Sequence, residues 1–119
     1  MNRQGDVRRD EDRLADIVRA SVAIANVVEA GRAHFDADEQ YQVFVLHQLT
    51  VIGEATAALS RRLKARHPEV DWRSPQDLRN RLVHAYFDVD WDIVWRTGCN
   101  DVPPYAAQIA TILEGYTEA

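Results

Sequence analysis

The chain has 119 residues, of which 46% are hydrophobic and 28% charged, and a formal net charge of −5. This length suits one domain with a single modest core, and the composition excludes an intrinsically disordered chain. No apolar run of about 18 residues occurs, which argues against a transmembrane helix. The first residues lack the apolar core of a signal peptide, and the single cysteine, Cys99, has no partner for an internal disulfide. We therefore expect one domain over residues 1–119, located in the cytoplasm.

Helical periodicity predicts two long helices in the first half of the chain. The first covers residues 10–30, ends at Gly31 and leaves residues 1–9 frayed. The second begins at Asp36 or Asp38 and runs for about 28 residues until just before Pro68. Small residues in its middle indicate close approach by another helix, and one carboxylate stands among them. These residues are Gly53, Glu54, Ala55, Ala57 and Ala58.

A third helix is predicted to begin at Ser74, with Ser74 as its cap, Pro75 in its first turn and Asp77 three residues after the cap. It continues through Leu82 and Val83 and breaks near residues 88–90. Residues 91–95 predict a short helical turn, residues 98–100 a loop, and residues from 101 onwards a last helix. No strand-like alternation of useful length occurs. The predicted fold is all-α, an up-and-down four-helix bundle with a short extra helix.

Positive charge is concentrated between residues 61 and 86. Seven basic and three acidic residues there give a local charge of +4, and the remainder carries −9. A basic stripe on an acidic body can hold a phosphate chain. It can equally be a solvated helix end, whose arginines suit the helix dipole. The basic residues are Arg61, Arg62, Lys64, Arg66, Arg73, Arg79 and Arg81.

The most reactive stretch is residues 79–86, where Arg79, Asn80, His84 and Tyr86 bring four functional groups together. On an ideal helix Asn80 and His84 share a face, whereas Arg79 and His84 lie about 140° apart. Two arrangements would bring this pair together. Arginine is long enough to reach round the helix, or two copies of the helix meet about a two-fold axis and line one groove.

These side chains suit RNA cleavage without a metal. Histidine can accept the proton of a ribose 2′-hydroxyl, arginine can stabilise the charge on the phosphate, and Asn80 could orient either group. A half-buried structural His84, with Arg79 paired to Glu54 or Asp77, explains the same residues without catalysis. The four histidines lack metal-ligand spacing, and neither Cys99 nor the serines show a nucleophile pattern.

The segment Arg79-Asn80-Arg81-Leu82-Val83-His84-Ala85-Tyr86 resembles the Arg-x4-His-x-Tyr signature of the HEPN superfamily, specifically of its HepT-like toxins. Residues 52–55, Pro68, Trp72 and residues 87–95 also resemble that group. One departure is Asp77-Leu78, where the group more often has Gly-Met. The resemblance covers most of the chain, but only residues 52–55 and 72–95 are specific.

The resemblance implies an all-helical homodimer that cleaves RNA in a groove at the dimer interface, with Arg79 and His84 as the catalytic pair. We expect no cofactor. Asn80 would support them, and Glu54 is a candidate for orienting Arg79. It also implies a toxin–antitoxin pair whose antitoxin is a minimal nucleotidyltransferase that attaches AMP to Tyr86. The alternative is a non-catalytic helical subunit that binds a nucleotide or substrate for a nucleotidyltransferase partner.

Overall fold

The computed structural model describes residues 3–85 and 88–117. Seven α-helices, one π-helical turn and one two-stranded hairpin make up these ranges. In chain order they are α1 (Arg3–Ala30), α2 (Arg32–Ala37), α3 (Glu39–Ala58), α4 (Arg61–Arg66), α5 (Arg73–Leu82), β1 (Val83–Ala85), β2 (Asp88–Val89), α6 (Trp91–Arg96), the π-helical turn (Thr97–Asp101) and α7 (Val102–Thr117). The all-α class is confirmed, and the helix count is that of a helical bundle.

The core lies where α1 packs against α3 and α7, and α5 packs against α3. Leu14, Ile17 and Ile24 of α1 are fully buried, as are Leu49 of α3 and Ile109 of α7. Their spacing on each helix places them on one face, so burial of a single apolar stripe explains how each long helix packs. None of the described helices is both long enough and apolar enough to cross a bilayer.

The first helix begins at Arg3, seven residues before its predicted start, and ends at Gly31 as predicted. Gly31 has a φ of 98°, a conformation that glycine adopts without steric cost. A short helix that the periodicity did not reveal, α2, follows and buries Phe35 against Trp95, with ring centroids 5.1 Å apart. Asp38 then caps α3 by accepting a hydrogen bond from the Gln40 N–H at 2.8 Å.

The long second helix predicted from the sequence is wrong, because the chain forms two helices with a break at Leu59 and Ser60. Buried Asp10 of α1 accepts hydrogen bonds from the Ser60 N–H at 2.9 Å and the Ser60 hydroxyl at 2.6 Å. The Ser60 hydroxyl oxygen in turn accepts from the Leu63 N–H at 3.2 Å, which caps α4. A distant carboxylate therefore supplies the bonds that end one helix and start the next.

The predicted cap of the third helix is also wrong. Asp71 rather than Ser74 supplies it, because its carboxylate accepts from the Ser74 N–H at 3.0 Å and from the Ser74 hydroxyl at 2.6 Å. These bonds from Ser74, the hydroxyl first, lower the pKa of Asp71. Helix α5 accordingly begins at Arg73.

The last third of the chain is more regular than the sequence suggested. Asp90 caps α6 by accepting from the N–H groups of Asp92 and Ile93, both at 3.1 Å. The predicted loop at residues 98–100 is instead a π-helical turn that joins α6 to α7. Gly98 lies in this turn, and a methyl group there would be 3.1 Å from Cγ2 of Ile24. A glycine therefore lets this turn pack closely on α1.

Candidate functional site

The predicted motif divides between a helix and a strand. Arg79 and Asn80 lie in the last turn of α5, which ends at Leu82, and His84 lies in β1. The prediction that one helix carries the whole motif is therefore wrong. Leu82 is only 2% exposed, so the end of α5 is held against the core.

Backbone pairing explains why the helix stops at Leu82. The Leu82 carbonyl accepts a hydrogen bond at 3.3 Å from the N–H of Asp90. Strand β1 then pairs antiparallel with β2, with Val83 opposite Val89 and Ala85 opposite Asp88. The pairing of Val83 with Val89 places two β-branched residues in a strand, which suits their restricted side chains.

This hairpin removes the basis for the predicted helical faces of the motif. The rotation of 100° per residue no longer relates Arg79 or Asn80 to His84, because α5 ends between them. The side chains of Arg79, Asn80 and His84 and all of Tyr86 lie outside the described residues. The joint catalytic role of Arg79 and His84, the support from Asn80 and the modification of Tyr86 therefore stay predictions.

Helix α5 is set in place by its close approach to α3. A methyl group at Gly53 would lie 2.8 Å from the carbonyl oxygen of Pro75, closer than van der Waals contact allows. The predicted close approach at the small residues of this helix is confirmed at this point. Leu78 and Leu82 of α5 line one cavity with Leu46 and Thr50 of α3. The later turns of α5 therefore also lie beside α3.

Beside this contact, a cavity of about 160 Å³ lies between the two helices. We call this cavity the α3–α5 groove. Its α3 side includes Glu54 and Thr50, and its α5 side includes Gln76, Leu78 and Leu82. Glu54 is exposed, and within the described ranges its carboxylate forms no hydrogen bond or ion pair. Glu54 thus lies on the side of α3 that faces α5, and its proposed contact with Arg79 stays a prediction.

Ion pairs near the hairpin involve α2 and α6 instead of the motif. Asp92 accepts from Arg32 at 2.9 Å and from Arg96 at 2.9 Å, and hydrogen bonding from Arg32 lowers the pKa of Asp92. These bonds fix α6 directly after the hairpin. In the described part of the chain, no group of three or more histidine, cysteine, aspartate or glutamate residues is arranged to hold a metal ion.

Comparison with known proteins assigns the family. The family model described as "Ribonuclease HepT-like" matches residues 14–112, a range that includes α5, the hairpin and Glu54. The chain belongs to the HepT-like ribonuclease family. Family membership gives its class of activity, so this HepT-like protein is a ribonuclease.

Curated relatives of this HepT-like protein carry the same assignment. "Probable ribonuclease HepT" of Thermococcus cleftensis is 36% identical over 97 residues, which cover 81% of this chain and 88% of the relative. A "Putative RNase" of Methanocaldococcus jannaschii is 34% identical, over 65% of this chain and 64% of its own length. Another of Caldanaerobacter subterraneus subsp. tengcongensis is 32% identical, over 58% and 62%. No solved structure gives a significant match.

The sequence pattern of this HepT-like protein did not reveal the hairpin that places His84 on a different element from Arg79. Val83, Val89 and the intervening residues are too few to show strand alternation. A local signal was nevertheless present, because Asp90 caps α6 and therefore marks a point where no helix can continue from α5.

Proposed function

We propose that this HepT-like ribonuclease cleaves RNA without a metal, using Arg79 and His84 in a groove at a homodimer interface. We further propose that it is a cytoplasmic toxin of a toxin–antitoxin pair, neutralised when a nucleotidyltransferase antitoxin adenylylates Tyr86. The observation that carries the proposal is the Arg79-x4-His84-x-Tyr86 motif in a chain of this family.

The chemistry needs no group beyond the side chains and the RNA. His84 accepts the proton of a ribose 2′-hydroxyl, the 2′-oxygen forms a bond to the adjacent phosphorus, and the bond to the 5′-oxygen breaks. A proton from a histidine or from water goes to the departing oxygen. Arg79 donates hydrogen bonds to the phosphate oxygens as negative charge accumulates on them. Asn80 orients the phosphate, and Glu54 orients Arg79 from the neighbouring helix.

Exposed apolar residues support a dimer that covers this end of the molecule. Val43 of α3 is 51% exposed and Phe44 is 40% exposed, although large hydrophobic side chains usually lie inside. Val43 precedes Leu46 and Thr50, which line the α3–α5 groove, at helical spacing. A second copy packed there would bury these residues and bring two motifs together.

The proposed regulation follows from the position of Tyr86 in the motif. AMP attached to its hydroxyl would add a nucleotide and a negatively charged phosphate two residues from His84. Both the bulk and the charge would oppose binding of an RNA phosphate. Mass spectrometry of the protein incubated with its antitoxin and ATP tests this point, because an unmodified Tyr86 beside an active antitoxin contradicts it.

The activity is tested by measuring RNA cleavage in EDTA and growth arrest with the same variants. We expect His84→Ala and Arg79→Ala to lower cleavage by about 10²–10⁴-fold and to abolish growth arrest. His34→Ala, an exposed histidine on α2, and Arg19→Ala, an exposed arginine on α1, are the matched controls and should remain active. Full toxicity in both motif variants would favour the non-catalytic subunit of a nucleotidyltransferase partner.

A further inference from the structure

We propose that α4 and the groove beside it form a second RNA-binding surface, remote from the motif, that holds phosphates of the RNA strand being cleaved. This inference rests on the proposed ribonuclease function and adds a binding site to it. The site consists of the basic side chains of α4 and the space between the end of α4 and α7.

Helix α4 is strongly basic. Arg61, Arg62, Lys64 and Arg66 occupy four of its six positions, and the helix contains no acidic residue. The three arginines are exposed, and Lys64 is half-buried with Asp10 near it. Within the described part of the chain, none of these four side chains is in an ion pair.

Three exposed arginines elsewhere differ in this respect. Arg19 pairs with Asp16, and Arg32 and Arg96 pair with Asp92. A guanidinium that already has a carboxylate partner must lose it, or share it, to bind a phosphate. The unpaired arginines of α4 need no such exchange, so they offer the stronger attraction to a polyanion on a protein that is acidic overall.

Contacts with the core and with α1 hold α4 in place. Leu63 is 1% exposed and fixes the inner face of α4 to the core. Ser60 caps the helix and is itself held by the two hydrogen bonds that it donates to buried Asp10. The arginines therefore extend from a backbone whose position is set before any ligand arrives, which lowers the entropy cost of binding.

A groove opens between the last turn of α4 and α7. It has a volume of about 510 Å³, and its lining includes Arg66, His67, Thr111 and half-buried Tyr116. Proteins that bind single-stranded nucleic acid use cations and hydroxyl groups to contact its phosphates and aromatic rings to stack on its bases. Glu69 also lines the groove, where it contacts His67 at 3.4 Å and leaves the arginines unpaired.

The two surfaces lie at opposite ends of α5. Its first turn, at Pro75, lies against the C-terminal half of α3, from which the chain continues into α4. Its last turn carries Arg79. The 10 residues of α5 span about 15 Å, so a dinucleotide at the motif is too short to reach α4. A strand of about 16 nucleotides is long enough to engage both surfaces.

The test compares long and short RNA in Arg61→Gln/Arg62→Gln protein. We expect KM for the long RNA to rise about tenfold, with kcat retained, and the rise to be confined to the long RNA. Binding is measured in parallel with a 2′-O-methyl oligonucleotide, which lacks the nucleophile and cannot be cleaved. For this oligonucleotide, the slope of log K against the logarithm of the salt concentration should become less negative by about 1.4. Each lost phosphate contact on a single strand contributes about 0.7 to that slope.

Two further variants control for charge and for the groove. Arg19→Gln/Arg96→Gln removes the same charge from exposed arginines that are paired, and it should leave the salt dependence unchanged. Gly115→Met adds a side chain at a residue of the groove that has open space around it. It should weaken oligonucleotide binding without altering the salt dependence.

The outcomes separate this inference from the proposed function. Unchanged KM and salt dependence in an Arg61→Gln/Arg62→Gln enzyme that still cleaves RNA would overturn the α4 surface alone. Absence of cleavage in the wild-type protein would contradict the proposed function, and the binding measurement with the uncleavable oligonucleotide would still decide the α4 surface. Loss of antitoxin binding with RNA binding intact would identify α4 as a protein contact and overturn the RNA assignment.

Discussion

The two ends of α5 are held in different ways. At its start, the carbonyl oxygen of Pro75 packs against Gly53 so closely that no side chain fits between them. Trp72, just before the helix, donates a hydrogen bond to the His67 carbonyl at 2.9 Å and contacts the Tyr105 ring edge-on, at a centroid distance of 6.3 Å. At its end, Leu82 is buried and its carbonyl bonds to the N–H of Asp90.

This difference separates support from chemistry. Close packing on α3 and α7 fixes the start of α5, which has no reactive role in our proposal. Backbone pairing with a two-residue strand fixes the end, where the proposed catalytic residues lie. Damage at the start should therefore appear first in stability, and damage at the end should appear first in RNA cleavage.

The largest expected change in stability at the start of α5 comes from Tyr105. Burial raises the pKa of its phenol from 10.0 to about 12, and its hydroxyl lies 2.7 Å from that of Thr56. In the unfolded chain the phenol loses its proton near pH 10, whereas in the folded chain it keeps it until about pH 12. The free energy of unfolding should thus fall by about 2–3 kcal/mol as pH rises across this window.

Urea unfolding between pH 9 and pH 12 checks this expectation, with Tyr105→Phe as the control. The difference in pH dependence between the two proteins isolates the contribution of this phenol. Identical pH dependence would contradict the burial of Tyr105 and with it the described support for the start of α5.

Gly53→Ala tests the close approach directly. The added methyl group would lie 2.8 Å from the carbonyl oxygen of Pro75, so α5 must shift or strain. We expect the free energy of unfolding to fall by about 1–3 kcal/mol. Thermal or urea unfolding measures the change, and an increase in stability would show that the two helices are farther apart than described.

Substitution of two helix-capping residues tests whether the hairpin after α5 positions the proposed catalytic site. Asp90→Ala and Asp38→Ala each remove a cap, of α6 and α3 respectively, and each should cost about 0.5–2 kcal/mol. Only Asp90 adjoins the hairpin that carries His84. Cleavage assays should therefore show lower activity in Asp90→Ala than in Asp38→Ala, at equal fractions of folded protein. Equal activities would mean that the hairpin does not position the site.

The smallest expected change in stability comes from Gly115→Ala, a glycine-to-alanine substitution that can be compared with Gly53→Ala. Gly115 lies within α7, and nothing lies within 4 Å of the position that a methyl group would occupy. Gly115→Ala should therefore raise the free energy of unfolding by about 0.5–1 kcal/mol, because alanine restricts the unfolded chain. Opposite signs for the two alanine variants are the expected result, and the same sign would contradict the packing difference.

The parts of the fold that depend on local patterns could be predicted from the sequence. Asp38 and Gly31 act at helix ends as expected, and apolar spacing identified α1, α3 and α7. Small residues in the second predicted helix correctly indicated close approach by another helix at Gly53. In each case the decisive residues are near one another in the chain.

The parts that depend on distant residues could not be predicted. Ser60 begins α4 because Asp10, 50 residues earlier, accepts its N–H and hydroxyl, and no local pattern reveals that partner. Helix α5 ends at Leu82 because Asp90 donates to the Leu82 carbonyl and strand β2 pairs with the residues that follow. The prediction of the candidate site suffered most from this missing information, because Arg79 and His84 share a motif but lie on different elements.

A double-mutant cycle of RNA cleavage in EDTA tests most directly whether Arg79 and His84 act together. The rates of the wild type, Arg79→Ala, His84→Ala and the double variant are compared on one RNA. If the two groups act on one phosphate, the effects of the two substitutions on the cleavage rate should be strongly non-additive. The double variant should then be little slower than the slower single variant. Wild-type rates in both single variants would contradict the account.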